Sequence, residues 1–556
     1  MRCGASLGLV TLCALLFAAP LPATTPTFHS DDPLMIEPET QDASAAREWD
    51  IDLFIDLAIN LFGEPGDKAV GSRAGNVNTI DEVPDSSWFT NRILARPITI
   101  EDAVRGPARG AGVAPGRWTV IAPKQQGFAP GFTMRDAAGD VWFVSFDASG
   151  QPEAATGAII VATKIFWTLG YWQTDNVLTT IRPDQVDVSE DATFRPPSGK
   201  ERRMRRDDLD GIWARAHRSP DGSYRAVASR RLSGRAIGGF RYYGTRPDDP
   251  NDIVRHEHRR ELRALKVFGA WTNLVDLKAG NTLDMVVEEG GRNRVRHYLQ
   301  DVGSTFGTGA NAPREYFEGW EYVHEGDLTW KRLISLGFYI KPWQTIRYDE
   351  SPAIGRFEGE AFDPLAWKPR VPVAALRHTQ PDDGFWAARR VAAFSDAMIA
   401  AFVNEARYSD PADARRLTTT LIQRRDKIAA AWLVAVTPLV DFRLENGELS
   451  FANAAVVAGA APPPRRGYEI SWATFDNQTA AVTPIGEPAV SLGERAPAPQ
   501  ATSVPAGGIV RARVRALDGS PEWSPVDAYF RREAERWRLV GIDRTGRGFT
   551  AAAAQP

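Results

Sequence analysis

The sequence predicts an α+β protein, and three observations carry that reading. Short strands give way to one helix over residues 118–169. Two alternating runs flank a polar, glycine-containing turn within residues 283–300. Two helical stripes on either side of residue 410 precede a hundred residues of short strands.

Met1-Arg2, the apolar run Leu7 to Ala19 and the small-residue site at Ala23 read as a secretory signal peptide over residues 1–23, because the run is too short to span a bilayer. The mature chain is therefore expected outside the cytoplasm, periplasmic or secreted, with no transmembrane segment. Both cysteines, Cys3 and Cys13, belong to that leader, which excludes a disulfide or a thiolate-zinc site in the mature chain. A net charge of -4 with mixed composition predicts neither a nucleic-acid-binding face nor a membrane-surface helix.

Residues 24–115 begin with the acidic stretch Asp31-Asp32-Pro33-Leu34 and contain one expected helix, Trp49 to Phe62. Aromatic residues recur through Asn78-Thr79-Ile80-Asp81-Glu82-Val83-Pro84-Asp85-Ser86-Ser87-Trp88-Phe89, so the rest reads as ordered chain wrapping another domain. Strands follow at Trp118–Val120, Phe132–Met134 and Trp142–Phe146. Gly127 and Gly131 flank the loop before the second strand, and the turn Asp136–Asp140 precedes the third. Pro152-Glu153 opens a helix with Ile159, Ala162, Phe166 and Leu169 on one face.

His256-Glu257-His258 invites a metal reading, but residues i and i+2 on a helix point about 200° apart and cannot chelate one ion. The segment reads instead as a polar helix start, with Leu262, Leu265 and Phe268 as the buried face, and His297 as an ordinary core or edge histidine. Val391, Phe394, Met398 and Phe402 form one helical stripe. Leu417, Leu421, Ile428 and Trp432 form another, opened by Asp410-Pro411. Residues 308–372 hold Trp320, Trp330, Trp343 and Trp367 without periodic runs. Phe442 to Leu449 reads as a hairpin, and Tyr468–Phe475, Ile509–Leu517, Val526–Arg532 and Trp537–Asp543 as the strands of a small β-sandwich. Glu494 to Gly508 reads as a flexible loop inside it.

Asp276-Leu277-Lys278-Ala279-Gly280-Asn281, followed by Asp301-Val302-Gly303 after the hairpin, resembles the catalytic loop and metal-binding turn of protein kinases. The chain resembles an atypical protein-kinase-like superfamily, nearer to the HipA and spore-coat CotH branches than to eukaryotic kinases. It also resembles exported bacterial proteins carrying segments similar to Asn78–Phe89 and His256–Leu262.

The resemblance implies a two-lobed protein-kinase-like body with a small lobe and hinge at 116–245 and a large, mostly helical lobe at 246–437. A β-sandwich at 438–546 and a tail at 547–556 follow. It implies phosphoryl transfer from ATP, with Mg²⁺ or Mn²⁺, to a hydroxyl on an unidentified protein or small-molecule acceptor. Asp276 would orient or deprotonate the acceptor, Lys278 would stabilise the transferring group, and Asn281 and Asp301 would ligate the metal. Lys124, Gly127, Gly131 and Glu153 would form the nucleotide side, and residues 308–372 would recognise the acceptor.

One position departs from the pattern. Ser145 stands where the kinase strand carries its phosphate-gripping lysine, which leaves Lys124 or Lys164 to approach from elsewhere, within reach of Glu153. The alternative reading is a catalytically inactive pseudokinase acting as a binding module, with Asp301 and Asn281 as turn residues that cap local backbone. A third is a secreted metal-dependent hydrolase using Asp276 and Asp301.

Overall fold

The structure is a computed structural model that describes residues 26–124, 127–196, 199–349, 351–498, 504–520, 523–534 and 536–546. The expected leader and the tail from residue 547 lie outside the described residues. The chain is α+β with several sheets.

Alternation builds the first sheet. In β3 (Val141–Phe146), Trp142, Val144 and Phe146 are buried, while Val141, Phe143 and Ser145 lie on the other face. With β1 (Trp118–Pro123), β2 (Gly131–Arg135), β4 (Asn176–Ile181), β5 (Val186–Val188) and β8 (Tyr224–Arg230), it takes the order β4-β8-β3-β2-β1-β5. Only the β1–β5 pair is parallel. β6 (Thr193–Phe194) and β7 (Arg202–Arg203) pair separately. The buried face packs on Leu209, Ile212 and Trp213 of the helix Arg206–Trp213.

The helix Ala154–Leu169 connects this sheet to a helical layer, burying Ala162, Phe166 and Leu169 in the largest apolar cluster. It starts after Glu153, which holds a left-handed φ of 65°, and its first turn is satisfied by Asp147, which accepts from Thr156 N at 2.8 Å. It ends at Gly170 with φ 131°. A Cβ there would lie 2.2 Å from Phe89 Cζ, so only glycine admits the N-terminal segment at this point.

β9 (Arg235–Ala236), β10 (Leu283–Glu289) and β11 (Arg292–Tyr298) form the second sheet. Glu289 pairs with Arg292 across Gly290-Gly291, both at positive φ, as a two-residue hairpin turn requires. The Val391-to-Phe402 stripe spans two helices, Pro381–Ala392 and Asp396–Glu405, because Ser395 caps the second by accepting from Met398 N at 3.1 Å. Asp410 caps Pro411–Trp432 in the same way, at 2.8 Å from Ala412 N. Among the described residues of 308–372 there is one α-helix, Gly326–Ile334, and it has no buried residue.

Near the C-terminus, β12 (Leu439–Glu445) and β13 (Glu448–Asn453) form the expected hairpin, joined at its edge by β16 (Arg495–Pro497). β14 (Tyr468–Phe475), β15 (Val482–Ser491), β17 (Ile509–Ala516), β18 (Val526–Glu533) and β19 (Arg536–Asp543) form a second sheet, and the two share one apolar cluster. One expectation needs correction, and one strand has no counterpart among the expected ones. β16 shows that part of the supposed flexible stretch 494–508 is held by pairing with β13, while residues 499–503 lie outside the described residues. β15 is an edge strand with Pro484 and Pro488 and a solvent-exposed surface, so it lacks the alternation that reveals its neighbours.

The expected helix at 49–62 is shorter, an α-helix Leu53–Ala58 continued by a π-turn Ile59–Gly63. The rest of the N-terminal segment is fixed by buried charge. Asp81 Oδ1 accepts from Arg260 at 2.8 Å and Arg73 at 3.0 Å, and its Oδ2 accepts from Arg544 at 2.6 Å. Glu82 accepts from Arg389 at 2.6 Å, Arg390 at 3.0 Å and Trp386 Nε1 at 2.8 Å. Arg260 also reaches Asp382 at 2.7 Å and Asp383 at 2.9 Å. His256-Glu257-His258, read as a polar helix start, is a 3₁₀ turn whose first two residues are buried. Burial is possible because His256 pairs with Asp252 at 2.7 Å and Glu257 accepts from Gly244 N at 2.7 Å. His297 is also buried, bonded to Asp284 at 2.7 Å beneath the Trp88 ring.

Removing one partner of a buried ionic cluster leaves the others uncompensated, so Asp81→Ala is expected to lower the unfolding free energy by about 3–5 kcal/mol in urea titration. The cluster also sets an acid limit. Burial pushes the Glu82 carboxyl up, but Arg389 and Arg390 outweigh it and bring it to about 2 from an ordinary 4.5. Asp81 is likewise raised by burial and lowered further by Arg260, Arg544 and Arg73, ending well below 3.8. These depressed carboxyls stabilise the fold fully above their ordinary values, and the contribution is lost as pH falls through the native ones. Tm should therefore drop between pH 4.5 and 2, with a smaller drop in Glu82→Gln.

Candidate active site

Because Leu283 faces Tyr298 at the open end of the hairpin, the residues just outside it meet. Asp301 N donates to Asn281 O at 3.0 Å, and Asn281 Nδ2 donates to the Asp276 carbonyl at 2.7 Å. Asp276, Asn281 and Asp301 are thus linked by hydrogen bonds at one end of the second sheet. Asp301 is exposed, and its Oδ1 accepts from Gly303 N at 3.0 Å in an Asx-type turn.

Asp276 lies among cations. Lys278 Nζ donates to its Oδ2 at 2.9 Å, and Arg314 Nη2 stands 3.6 Å from the same oxygen. Burial pushes this carboxyl up, but the charges of Lys278 and Arg314 outweigh it, and the net direction is below the ordinary 3.8. Asp276 is therefore ionised at neutral pH and weakly basic. It is suited to accepting and orienting a hydroxyl more than to removing its proton. Burial and the Asp276 charge also push the Tyr242 hydroxyl well above its ordinary value.

Lys124 follows β1 and reaches across β2 to donate to Ser145 Oγ at 3.0 Å. The path of its stem requires Gly131, where a Cβ would lie 3.2 Å from Lys124 Cδ and 2.1 Å from Val144 O. Gly127, at φ 82°, lies along the same stem, 3.6 Å from Lys124 Cε by the same construction. The ammonium is open to solvent on one side yet loses enough hydration to fall below its ordinary value. The acidic group acting against that loss is Asp301. Ile159 closes the gap, since a Cβ on Gly303 would come within 2.8 Å of its Cγ1. The sheet, the helix and the Asp301 turn therefore face one another around Lys124.

Two expected members are elsewhere. Glu153 does not meet Lys124: its left-handed backbone precedes the helix, and its carboxylate accepts from Ser409 N at 2.9 Å and faces Arg225 at 3.9 Å. Lys164 donates to the Arg105 carbonyl at 3.2 Å, at the end of a neighbouring helix, Ile100–Arg105. Arg314 was not legible in the sequence. It follows the Asp301 turn without a motif, and only its pairing with Asp276 and with Glu318 at 3.5 Å marks it.

The donor set suits a hard cation only in part. Asn281 commits its amide nitrogen to Asp276, leaving Oδ1 as the end able to ligate, and Asp301 supplies one carboxylate. Among the described residues no group of three or more His, Cys, Asp or Glu side chains gathers into a metal cage. One carboxylate and one amide match a Mg²⁺ site completed by ligand phosphates and water.

Gly131→Ala tests the packing under Lys124. The clash with Val144 O predicts a loss of about 1–3 kcal/mol in chemical denaturation.

Comparison of the chain with protein-family models, with curated proteins and with solved structures finds no match.

Proposed function

We propose that this site belongs to an exported, two-lobed kinase-like protein that transfers a phosphoryl group from a nucleotide to a hydroxyl acceptor. The observation that carries the reading is the Lys124–Ser145 contact at 3.0 Å, with Asp301 as the acidic neighbour. The cation missing from β3 is replaced from the end of β1, opposite the turn that would hold the metal. The six-stranded sheet with its helix would serve as the small lobe, and the hairpin and helical layer as the large one. The shared core of the two C-terminal sheets favours a β-sandwich.

In this reading Asn281 and Asp301 hold Mg²⁺ or Mn²⁺, which supplies charge neutralisation for the phosphates. Lys124 binds the nucleotide phosphates from the sheet side. Asp276, kept ionised by its cationic neighbours, aligns the acceptor hydroxyl. Lys278 is paired with Asp276 through a partly exposed contact, which costs little to exchange for a phosphoryl oxygen. A second reading, a pseudokinase that binds without catalysis, is favoured by one observation: Glu153 is tied to Ser409 instead of supporting Lys124.

Thermal melting of the mature protein with ATP and Mg²⁺ or Mn²⁺ tests binding, since saturation at 100 times Kd adds about 2.7 kcal/mol. Lys124→Ala should weaken nucleotide binding by about 10- to 100-fold, the value of a charge-assisted contact. The paired exchange Lys124→Ser with Ser145→Lys should recover part of it by moving the cation to β3. No shift with any nucleotide, in the native protein or in the exchange, would overturn the reading.

Catalysis is tested by an asymmetry. Asp301→Ala should abolish metal-dependent nucleotide binding, whereas Asp276→Ala should leave binding nearly intact and lower turnover. Nucleotide binding without phosphorylated product from any donor would favour the pseudokinase.

A further inference from the structure

The short helix Leu53–Ala58 and its π-turn bury only Asp56, which accepts from Tyr243 Oη at 3.0 Å and faces Arg241 at 3.4 Å. Its polar residue points inward, so its apolar ones face solvent: Phe54 is 86% and Phe62 70% exposed. A second segment behaves the same way. The helix Gly326–Ile334 buries nothing, and beyond it Leu336 and Phe338 are each 85% exposed. The two segments meet where the Phe62 ring contacts His324, at 5.5 Å between centroids.

Charge identifies what such a face fits. Between Asp327 and Asp349 the sequence carries Lys331, Arg332, Lys341 and Arg347 and no acidic residue, in a chain of net charge -4. Lys341 is neutralised by Glu321 at 2.6 Å. Lys331 and Arg332 have no acidic partner among the described residues, and Lys331 lies 6.0 Å from the Tyr339 ring. An apolar surface of this kind is unfavourable in water unless something covers it. In the second segment exposed aromatic and aliphatic side chains stand beside basic ones, the composition of elements that lie in the headgroup region of anionic bilayers, whereas the first carries Asp50, Asp52 and Glu64 and no Lys or Arg between Arg47 and Lys68.

We propose that the second segment forms a peripheral docking face for an anionic lipid surface, with Phe62 of the first at its edge. The protein would lie on the bilayer, because no helix among the described residues is long and apolar enough to cross it. Whole-chain composition hides this face: the excess of acid elsewhere masks a local run of cations.

The test is co-sedimentation of the mature protein with vesicles of equimolar phosphatidylglycerol and phosphatidylcholine, compared with phosphatidylcholine alone. The native protein should bind the anionic vesicles at least about tenfold more tightly, and added salt should weaken it. Leu336→Glu with Phe338→Glu, and separately Lys331→Glu with Arg332→Glu, should each lower that binding by at least about tenfold. All of these positions are surface ones, so melting curves should not change. Failure of the native protein to bind anionic vesicles, or equal binding by the variants, would overturn the proposal. So would self-association in solution that the same substitutions abolish without any vesicle binding, which would assign the face to a second copy of this chain.

Discussion

The buried carboxylate of Asp81 is the interaction on which the rest of the structure depends. It lies in the N-terminal segment and binds Arg260, on the chain that leads into the Asp276 loop, and Arg544, beyond the last strand. Arg260 in turn binds Asp382 and Asp383 at the start of a helix in the central layer. Charges taken out of water cost free energy unless each finds partners, so such a cluster tolerates little rearrangement. Its consequence for the site is positional. The segment that delivers residues 276–281 is anchored from three directions before any site residue is considered.

Within the site the same physics works at a partly solvated position. Asp276 is flanked by Lys278 and Arg314, while Asp301 is exposed and influences Lys124 from across the gap. One carboxylate is thus committed to protein cations, while the other is exposed and accepts from Gly303 N. In the proposed reading the first would orient an acceptor and the second would hold a cation, and the division follows from neighbours that the local motif does not specify.

What was legible in the sequence was local. Gly290-Gly291 between alternating runs fixes the hairpin, Trp142 to Phe146 fixes a strand, and Asp410-Pro411 fixes a helix start, because each signal acts through adjacent backbone. The proximity of Asp276, Asn281 and Asp301 follows from hairpin register and was legible for the same reason. Long-range pairing was not. Glu153 has the right chain position to meet a lysine, but a left-handed backbone turns it towards Ser409, and no pattern in the sequence announces that turn. Arg314 reaches Asp276 across almost forty residues of chain. The segment His256–Leu262 looks solvated by composition but becomes core through its partners Glu37, Asn76 and Asp81, which lie 179 to 222 residues away in the chain.

The central claim is that Lys124 supplies the phosphate-facing cation of a nucleotide site. Labelling of the mature protein with an acyl-phosphate nucleotide probe, which acylates a lysine held beside the bound phosphates, followed by peptide mapping, tests it most directly. The depressed ammonium of Lys124 favours the neutral amine that such a reaction needs. The account predicts that the peptide containing Lys124 is the principal modified site and that excess ATP with Mg²⁺ suppresses the modification. Labelling spread over surface lysines and unaffected by ATP would contradict it.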